Sequence, residues 1–412
     1  MASIPASVCK VAILAALAML LVLLAASTEL EGGGLSFPSV HIDVDGGEEI
    51  LSKEGYLRCR VSLDNQEPGF EGLDAGVKGR GNSSWNEVKK PYTLKLDKAA
   101  SFLGMPADKT WVLTANHSDQ TLSRTYYAFS AAEAVGCPFT PSCAFVNLYV
   151  NGDYRGVYLL SEKIEMGPGR VEIDDSVGNV DFGFIVEMDG WAIYEGDEDV
   201  DYFKIGRKSY SVKDPKCIPE QLALVKEAMV GAPSAIESGD WAAVEERIDV
   251  DSFARTYIVE ELFSESDVNF SSFYFFRDAG GRISSGPIWD FDHSAGDIGT
   301  SDRMFSSRMF VDKKSIWYSG LLGHEEFQEK VAEVLSERSG DIREALAGCS
   351  EHVLSHSGDF HRNFARWRYI GTNVFSAPLE FMMFGSWERH LEFLDGWLSA
   401  KLDLMLEAYR LR

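Results

Sequence analysis

The feature that most constrains the fold is a change of texture at Pro219. Before it, short runs of alternating apolar and polar residues are separated by Gly, Asn and Pro; after it, apolar residues recur at helical spacing. Strands are expected over Ser36–Asp45, Gly55–Leu63, Tyr92–Leu96, Thr110–Asn116, Phe184–Met188 and Tyr202–Val212. A hairpin is expected where Phe145–Val150 and Tyr154–Leu160 flank Asn151-Gly152-Asp153. One helix, Thr121–Val135 behind the cap Ser118-Asp119, falls in this half. Further helices are expected over Glu220–Val230, Trp241–Ile248, Asp251–Ser264 (capped by Asp249 or Asp251) and from Ile316 to Arg412. The pattern predicts an α+β fold, β-rich over about 36–215 and α-rich over about 216–412.

One aromatic hairpin interrupts the helices and carries acids. Asp267 precedes the strand Phe273–Phe276; a Gly280-Gly281 turn leads to a second strand, Ile283–Ile288, and then to Trp289-Asp290-Phe291-Asp292 and a loop with Gly296 and Gly299. Side chains at i and i+2 of an extended segment point the same way, so Asp290 and Asp292 can both face one divalent cation. The plainer reading is an aromatic strand with two solvated acids. The order acid, hairpin, Asp-Phe is that of protein kinases, in which the first aspartate takes the acceptor proton and the second holds the metal.

The densest constellation of the first half is VKGRGNSSWNEVKKPYTLKLDK, Val77–Lys98. Gly81-Asn82-Ser83-Ser84 offers backbone amides in a tight turn next to Arg80, a phosphate cradle in chemical terms. Lys95 lies on the face of its strand opposite Leu94 and Leu96 and is the candidate phosphate-holding lysine. Glu133, on the expected helix, is its candidate partner by chain order. Each has a simpler reading: a hairpin with a basic outer face, and a surface acid near a helix end.

Composition narrows the function. With 64 acidic and 39 basic residues, a net charge of −25, the chain is a poor binder of nucleic acid or anionic lipid. Lys10 followed by the apolar run Val11–Ala26 reads as a signal peptide or membrane anchor over 1–27, placing the rest of the chain outside the cytosol, at the cell surface or beyond, with membrane contact only through that segment. Cys137 and Cys143 flank a turn-rich loop that a short disulfide would close. The eight histidines show no metal-ligand spacing, which leaves a metal-dependent phosphoesterase without support; His293 reads as a loop residue.

The segments KGRGNSSW, KKPYTLKL, WVLTANHSDQTLSRTYYAF, GVYLLSEKIE, YSVKDP, IDVDSFARTYIVEELFSESD, FYFFRD and GPIWDFDHSAG resemble the successive signatures of the CotH kinase family, atypical protein kinases related to spore-coat protein H. The resemblance is close over Val77–Gly296 and looser through Trp317-Tyr318, Arg366-Trp367 and Trp397. It implies a CotH-like kinase domain over 28–412, a divergent bilobal protein-kinase-like fold, use of ATP with Mg2+ or Mn2+, and transfer of the γ-phosphoryl group to Ser or Thr of a protein substrate, basic or Ser/Thr-rich in character. Asp267 matches the family's catalytic aspartate and Asp290 its metal-binding one, with Asp292 assisting. Lys95 would hold phosphates, with Arg80, Gly81 and Asn82 lining the nucleotide pocket and Glu133 pairing the lysine. The pattern departs from ordinary kinases in three places: SESD replaces the HRD motif, Ser272 stands where a metal-binding Asn is usual, with Asn269 nearby, and Asp292 replaces the Gly after Asp-Phe. The alternative is a surface protein that keeps the fold without catalysis and acts in adhesion or as a scaffold.

Overall fold

The computed structural model describes residues 36–65, 69–174, 176, 178, 181–192, 201–297, 305–311, 315–374 and 377–410; the expected leader over 1–27 lies outside them. The fold is α+β. Strands β1 (Ser39–Val44), β2 (Leu57–Asp64), β3 (Phe70–Gly79), β4 (Tyr92–Ala100), β5 (Asp108–Thr114), β6 (Cys143–Val150) and β7 (Asp153–Glu162) close into a barrel in the order β1-β2-β3-β4-β5-β7-β6. Closure comes from the parallel pairing of β1 with β6, Val40 opposite Leu148.

Alternation explains the barrel. One face of each strand, including Ile42, Val61, Val77, Leu94, Trp111 and Leu148, fills the interior; each fully buried aliphatic side chain contributes about 1.5–3 kcal/mol over leaving it exposed. The hairpin β6–β7 turns where Asn151 (φ 50°) and Gly152 (φ 76°) adopt the paired positive angles of a tight two-residue turn. Strand β3, which contains Gly72, Gly76 and Gly79, was not legible as a strand. It forms because β2 and β4 flank it, Val77 lying opposite Leu57 and Leu94. A Cβ on Gly76 would meet the Tyr56 side chain at 2.9 Å, so the residue that weakens the pattern is the one the packing needs.

A second sheet runs β12 (Ser284–Ser285), β11 (Phe273–Arg277), β8 (Phe184–Met188), β10 (Lys208–Asp214), β9 (Tyr202–Ile205). The helices are α1 (Arg124–Val135), α2 (Pro219–Ser238), α3 (Trp241–Arg247), α4 (Val250–Phe263), α5 (Ile316–Leu321), α6 (Glu325–Ser355), α7 (Ser357–Arg366) and α8 (Trp387–Arg410). Asp249, one of the two expected caps, accepts from the Ser252 N–H at the start of α4.

The expected division near residue 215 is not how the sheets divide. Strands β8 to β10 pair with the acid-bearing hairpin, Val186 opposite Phe275, and one core joins the outer face of β6 and β7 (Phe145, Val157, Leu159) to this sheet and to the helices. The strand-rich part is therefore a closed barrel plus three of the five strands of a second sheet, and two lobes are not cleanly separated. Strand pairing joins residues far apart in the chain, and nothing local in FIVEM names its partner.

Cys137 and Cys143, expected to form a disulfide, are free thiols. Cys137 lies in the field of Glu260 and Arg255 of α4, whereas Cys143 lies toward Glu133 and Cys349 of α6, so the intervening turn leads them into different surroundings. Among the described residues no helix is long and apolar enough to cross a membrane.

Candidate active site

A cleft of about 630 Å3 lies between the end of β3, the second sheet and the loops that carry the acids. On the barrel side it is lined by Arg80, Gly81, Asn82, Ser83 and Ser84. This turn is tight: the Arg80 N–H donates to the Pro91 carbonyl at 3.2 Å. Gly81 has φ 83°, a backbone angle at which a residue with a Cβ is strained, so glycine suits the turn. The Arg80 guanidinium lies 5.4 Å from the centre of the Trp289 ring, which holds it beside Asp290.

Asp267 enters from the C-terminal end of α4. The helix stops at Ser264, in the left-handed region at φ 48°, and the chain turns so that Glu265 Oε1 accepts the Asp267 N–H at 2.8 Å. Phe270 and Ser271 N–H groups close the turn on the Asp267 carbonyl at 2.7 and 3.1 Å. Asp290 takes φ 69°, tolerable for aspartate and costly for most residues. Ser272 Oγ donates to its Oδ2 at 3.1 Å. The serine that replaces the usual asparagine thus reaches the second acid directly. Asp292 is buried and accepts from Ser118 Oγ at 3.0 Å. Burial pushes its carboxyl up to about 6, opposed by the neighbouring His293. Burial pulls His293 itself down, but Asp292, Asp297, Asp290 and Asp267 together lift it above the ordinary histidine value.

The third side comes from the second sheet. Glu187, inside the apolar strand β8, and Asp189 just beyond it both bond Lys213 of β10 at 2.8 Å. Glu187 also accepts the Ser272 N–H at 2.9 Å, which ties this ion group to the loop after Asp267. Burial would lower Lys213, but Glu187 and Asp189 outweigh it and raise the ammonium above its usual range, so it stays charged. Lys213→Met leaves two largely buried carboxylates unpaired and is expected to destabilise the fold by on the order of 3 kcal/mol. A lowered midpoint of urea unfolding measures it; an unchanged midpoint counts against the pairing.

Of the residues singled out in the sequence, Asp267, Asp290, Asp292, Arg80, Gly81 and Asn82 all line this one cleft. Lys95 and Glu133 do not. Leu94 and Leu96 face the barrel interior, and strand alternation turns Lys95 outward to an exposed position. Glu133 is exposed near the last turn of α1. Lys213, Glu187 and Asp189 were missed. The available signal was a glutamate inside the otherwise apolar run FIVEM, since a buried acid requires a partner.

A model of the CotH kinase protein family matches residues 77–345. The chain belongs to the CotH kinase family. Arg80, Lys213, Asp267, Asp290 and Asp292 fall within the matched span. The crystal structure of the Helicobacter pylori proinflammatory kinase CtkA is similar over 84% of this chain and 95% of that chain, with 8% sequence identity and a TM-score of 0.30. No curated protein matches the chain.

Membership in the CotH kinase family implies ATP and a divalent cation. Among the described residues, no group of three or more His, Cys, Asp or Glu side chains is gathered closely enough to hold a metal by itself. Mg2+ is usually bound through one or two carboxylates together with substrate phosphates rather than in an all-protein cage. Asp290, exposed at the cleft, and Asp292 behind it supply hard oxygen donors of the required kind.

Beneath Asp267 in this CotH kinase lies a second acidic pair, Glu260 and Glu265. Both are buried, and each has an Oε2 without a hydrogen-bond partner. Burial, reinforced by Asp267, pushes Glu260 up from 4.5 to about 8. The folded state therefore keeps this proton up to about pH 8 while the unfolded chain releases it near 4.5, so stability falls as pH rises between those values. Glu260→Gln cannot ionise. It is expected to match the wild type at pH 5 and to exceed it at pH 9 by a few kcal/mol in chemical denaturation; an identical pH profile for the two proteins rules this out.

Proposed function

We propose that this CotH family member is an ATP-dependent protein kinase that phosphorylates Ser or Thr of a protein substrate outside the cytosol, its export directed by the apolar leader. The observation that carries the reading is the meeting of Asp267, Asp290 and Asp292 with the glycine turn Arg80–Ser84 and with Lys213 around one cleft. The turn faces the acids from the barrel side, an arrangement that supports a kinase-like cleft between the barrel and the second sheet.

In this mechanism Asp267 orients the acceptor hydroxyl and takes its proton as the acceptor oxygen bonds to the γ-phosphorus and the bond from that phosphorus to the β–γ bridging oxygen breaks, releasing ADP. Asp290 and Asp292 would hold Mg2+ or Mn2+, which would neutralise charge on the phosphate oxygens. Lys213, which lines the cleft where Lys95 does not, would bind phosphate, with Glu187 and Asp189 holding it as a charged group. Arg80 and the amides of Gly81–Ser84 add positive field from the opposite side. The net charge of −25 supports a basic, Ser/Thr-rich substrate.

Incubating the purified domain with radiolabelled ATP, Mg2+ or Mn2+ and a basic, serine-rich test protein examines the reading. Label on serine or threonine is the expected result. Absence of both labelling and nucleotide-dependent thermal stabilisation would favour a scaffold.

A further inference from the structure

The loop that carries Asp290 and Asp292 is fastened from behind by the segment Asn116–Arg124, of which only the Ser118 bond to Asp292 has entered the chemistry so far. Every residue of this segment except His117 is buried, although most are polar. Asp119 is its hub: its carboxylate accepts from the Thr121 N–H at 2.8 Å, the Thr121 hydroxyl at 2.6 Å and the Arg124 N–H at 2.8 Å, and it pairs with the Arg124 guanidinium. Two groups then reach across to the acidic loop. Ser118 Oγ donates to Asp292, and Arg124 Nε donates to the Ser294 carbonyl at 3.0 Å, two residues further on. From the other side, the Ala295 N–H bonds the Phe263 carbonyl at the end of α4, at 2.6 Å.

Arg124 is 0% exposed, in the field of Asp119, Asp292 and Asp297. A guanidinium is a fixed fork that can donate to Ser294 and to Asp119 at once, whereas an ammonium on a flexible stem cannot hold that geometry. We propose that Arg124 is a positioning residue for metal binding: anchored by Asp119, it fixes the Ser294 carbonyl and, together with Ser118, sets where the Asp292 carboxylate points. It does not line the cleft. The proposal rests on the kinase reading.

The sign of the effect separates this role from a bare charge. Removing a cation beside three acids should tighten metal binding by Coulomb's law, whereas loosening the loop should weaken it. Mn2+ uptake in the presence of saturating ADP is measured by electron paramagnetic resonance for the wild type, Arg124→Gln, Arg124→Lys and Ser118→Ala. Both Arg124 variants are expected to lose roughly 10-fold or more in Mn2+ affinity, the usual cost of removing an outer-shell support. Ser118→Ala, a small change that spares the Asp119–Arg124 pair, is expected to lose less in the same direction. Amide exchange of metal-free protein should quicken over residues 290–297 in the Arg124 variants. If Arg124→Gln binds Mn2+ as well as or better than a wild type that binds, or if exchange over 290–297 is unchanged, the positioning role is overturned. A wild type that takes up no Mn2+ with ADP overturns the kinase reading, and with it the role of Arg124 in metal binding. Should the Arg124 variants not fold, Ser118→Ala decides the matter by the same affinity measurement.

Discussion

Asp267→Asn is expected to lower kcat for phosphoryl transfer by about 10^2- to 10^4-fold, the usual contribution of a positioned general base, while leaving nucleotide binding intact. The second half of that expectation makes it specific. Asp267 reaches the cleft from a turn held by backbone bonds to its own carbonyl and by the Glu265 carboxylate on its N–H, and the one side-chain bond within the turn, Ser266 Oγ donating to Asp267 Oδ1 at 3.3 Å, can be kept by an asparagine oxygen. Asparagine keeps the shape and removes the basicity. The fold should not suffer, because the repulsion of the Asp267 charge on the buried Glu260 and Glu265 outweighs its small attraction for His293, to which three other acids contribute more. The variant is therefore expected to unfold at an equal or higher temperature than the wild type, a familiar sign of a residue kept for activity at a cost in stability. Full transfer by the purified variant would remove Asp267 from the mechanism.

Asp290→Asn is expected to fail differently. Losing a metal-binding carboxylate withdraws charge stabilisation worth several kcal/mol in the transition state, ~10^3-fold or more in rate. It should also abolish the part of nucleotide-dependent thermal stabilisation that requires Mg2+. Asparagine is the appropriate replacement because Asp290 sits at φ 69°, where alanine would add backbone strain to the lost charge. The pair of variants thus forms a cross: one binds metal and nucleotide without reacting, the other loses metal-dependent binding. Two variants with the same profile would mean that the acids act as a unit or that neither has its assigned role.

Much of the local structure was legible because it is decided locally. Asn151-Gly152 announces a turn that few other residue pairs can make, Asp249 marks the start of α4, and the FIVEM run maps onto β8 residue for residue. The acids were legible for a related reason: Asp267 and Asp290 flank one hairpin, and a hairpin brings its two ends together whatever surrounds it. The lysine was misread. Lys95 and Glu133 were chosen by the order in which an ordinary kinase presents its parts, and strand alternation in β4 gives the leucines to the barrel interior and Lys95 to the outside. The actual ion group needs β8 and β10 side by side, with Glu187 opposite Ser211 and Lys213 two residues beyond, a pairing with no trace in either segment alone.

Taken by itself, the order of amino acids determined most of the secondary elements, the family and the hairpin that brings Asp267 and Asp290 to one cleft, since periodicity, turn chemistry and motif spacing act over a few residues or one hairpin. The tertiary structure alone decided that the strands close a barrel, that β8 to β10 join the acid-bearing hairpin, that Lys213 rather than Lys95 faces the cleft, and that Arg124 braces the loop behind Asp292. These depend on which distant surfaces bury one another. Burial is non-directional, so a strand or helix advertises an apolar face but not the partner that will cover it.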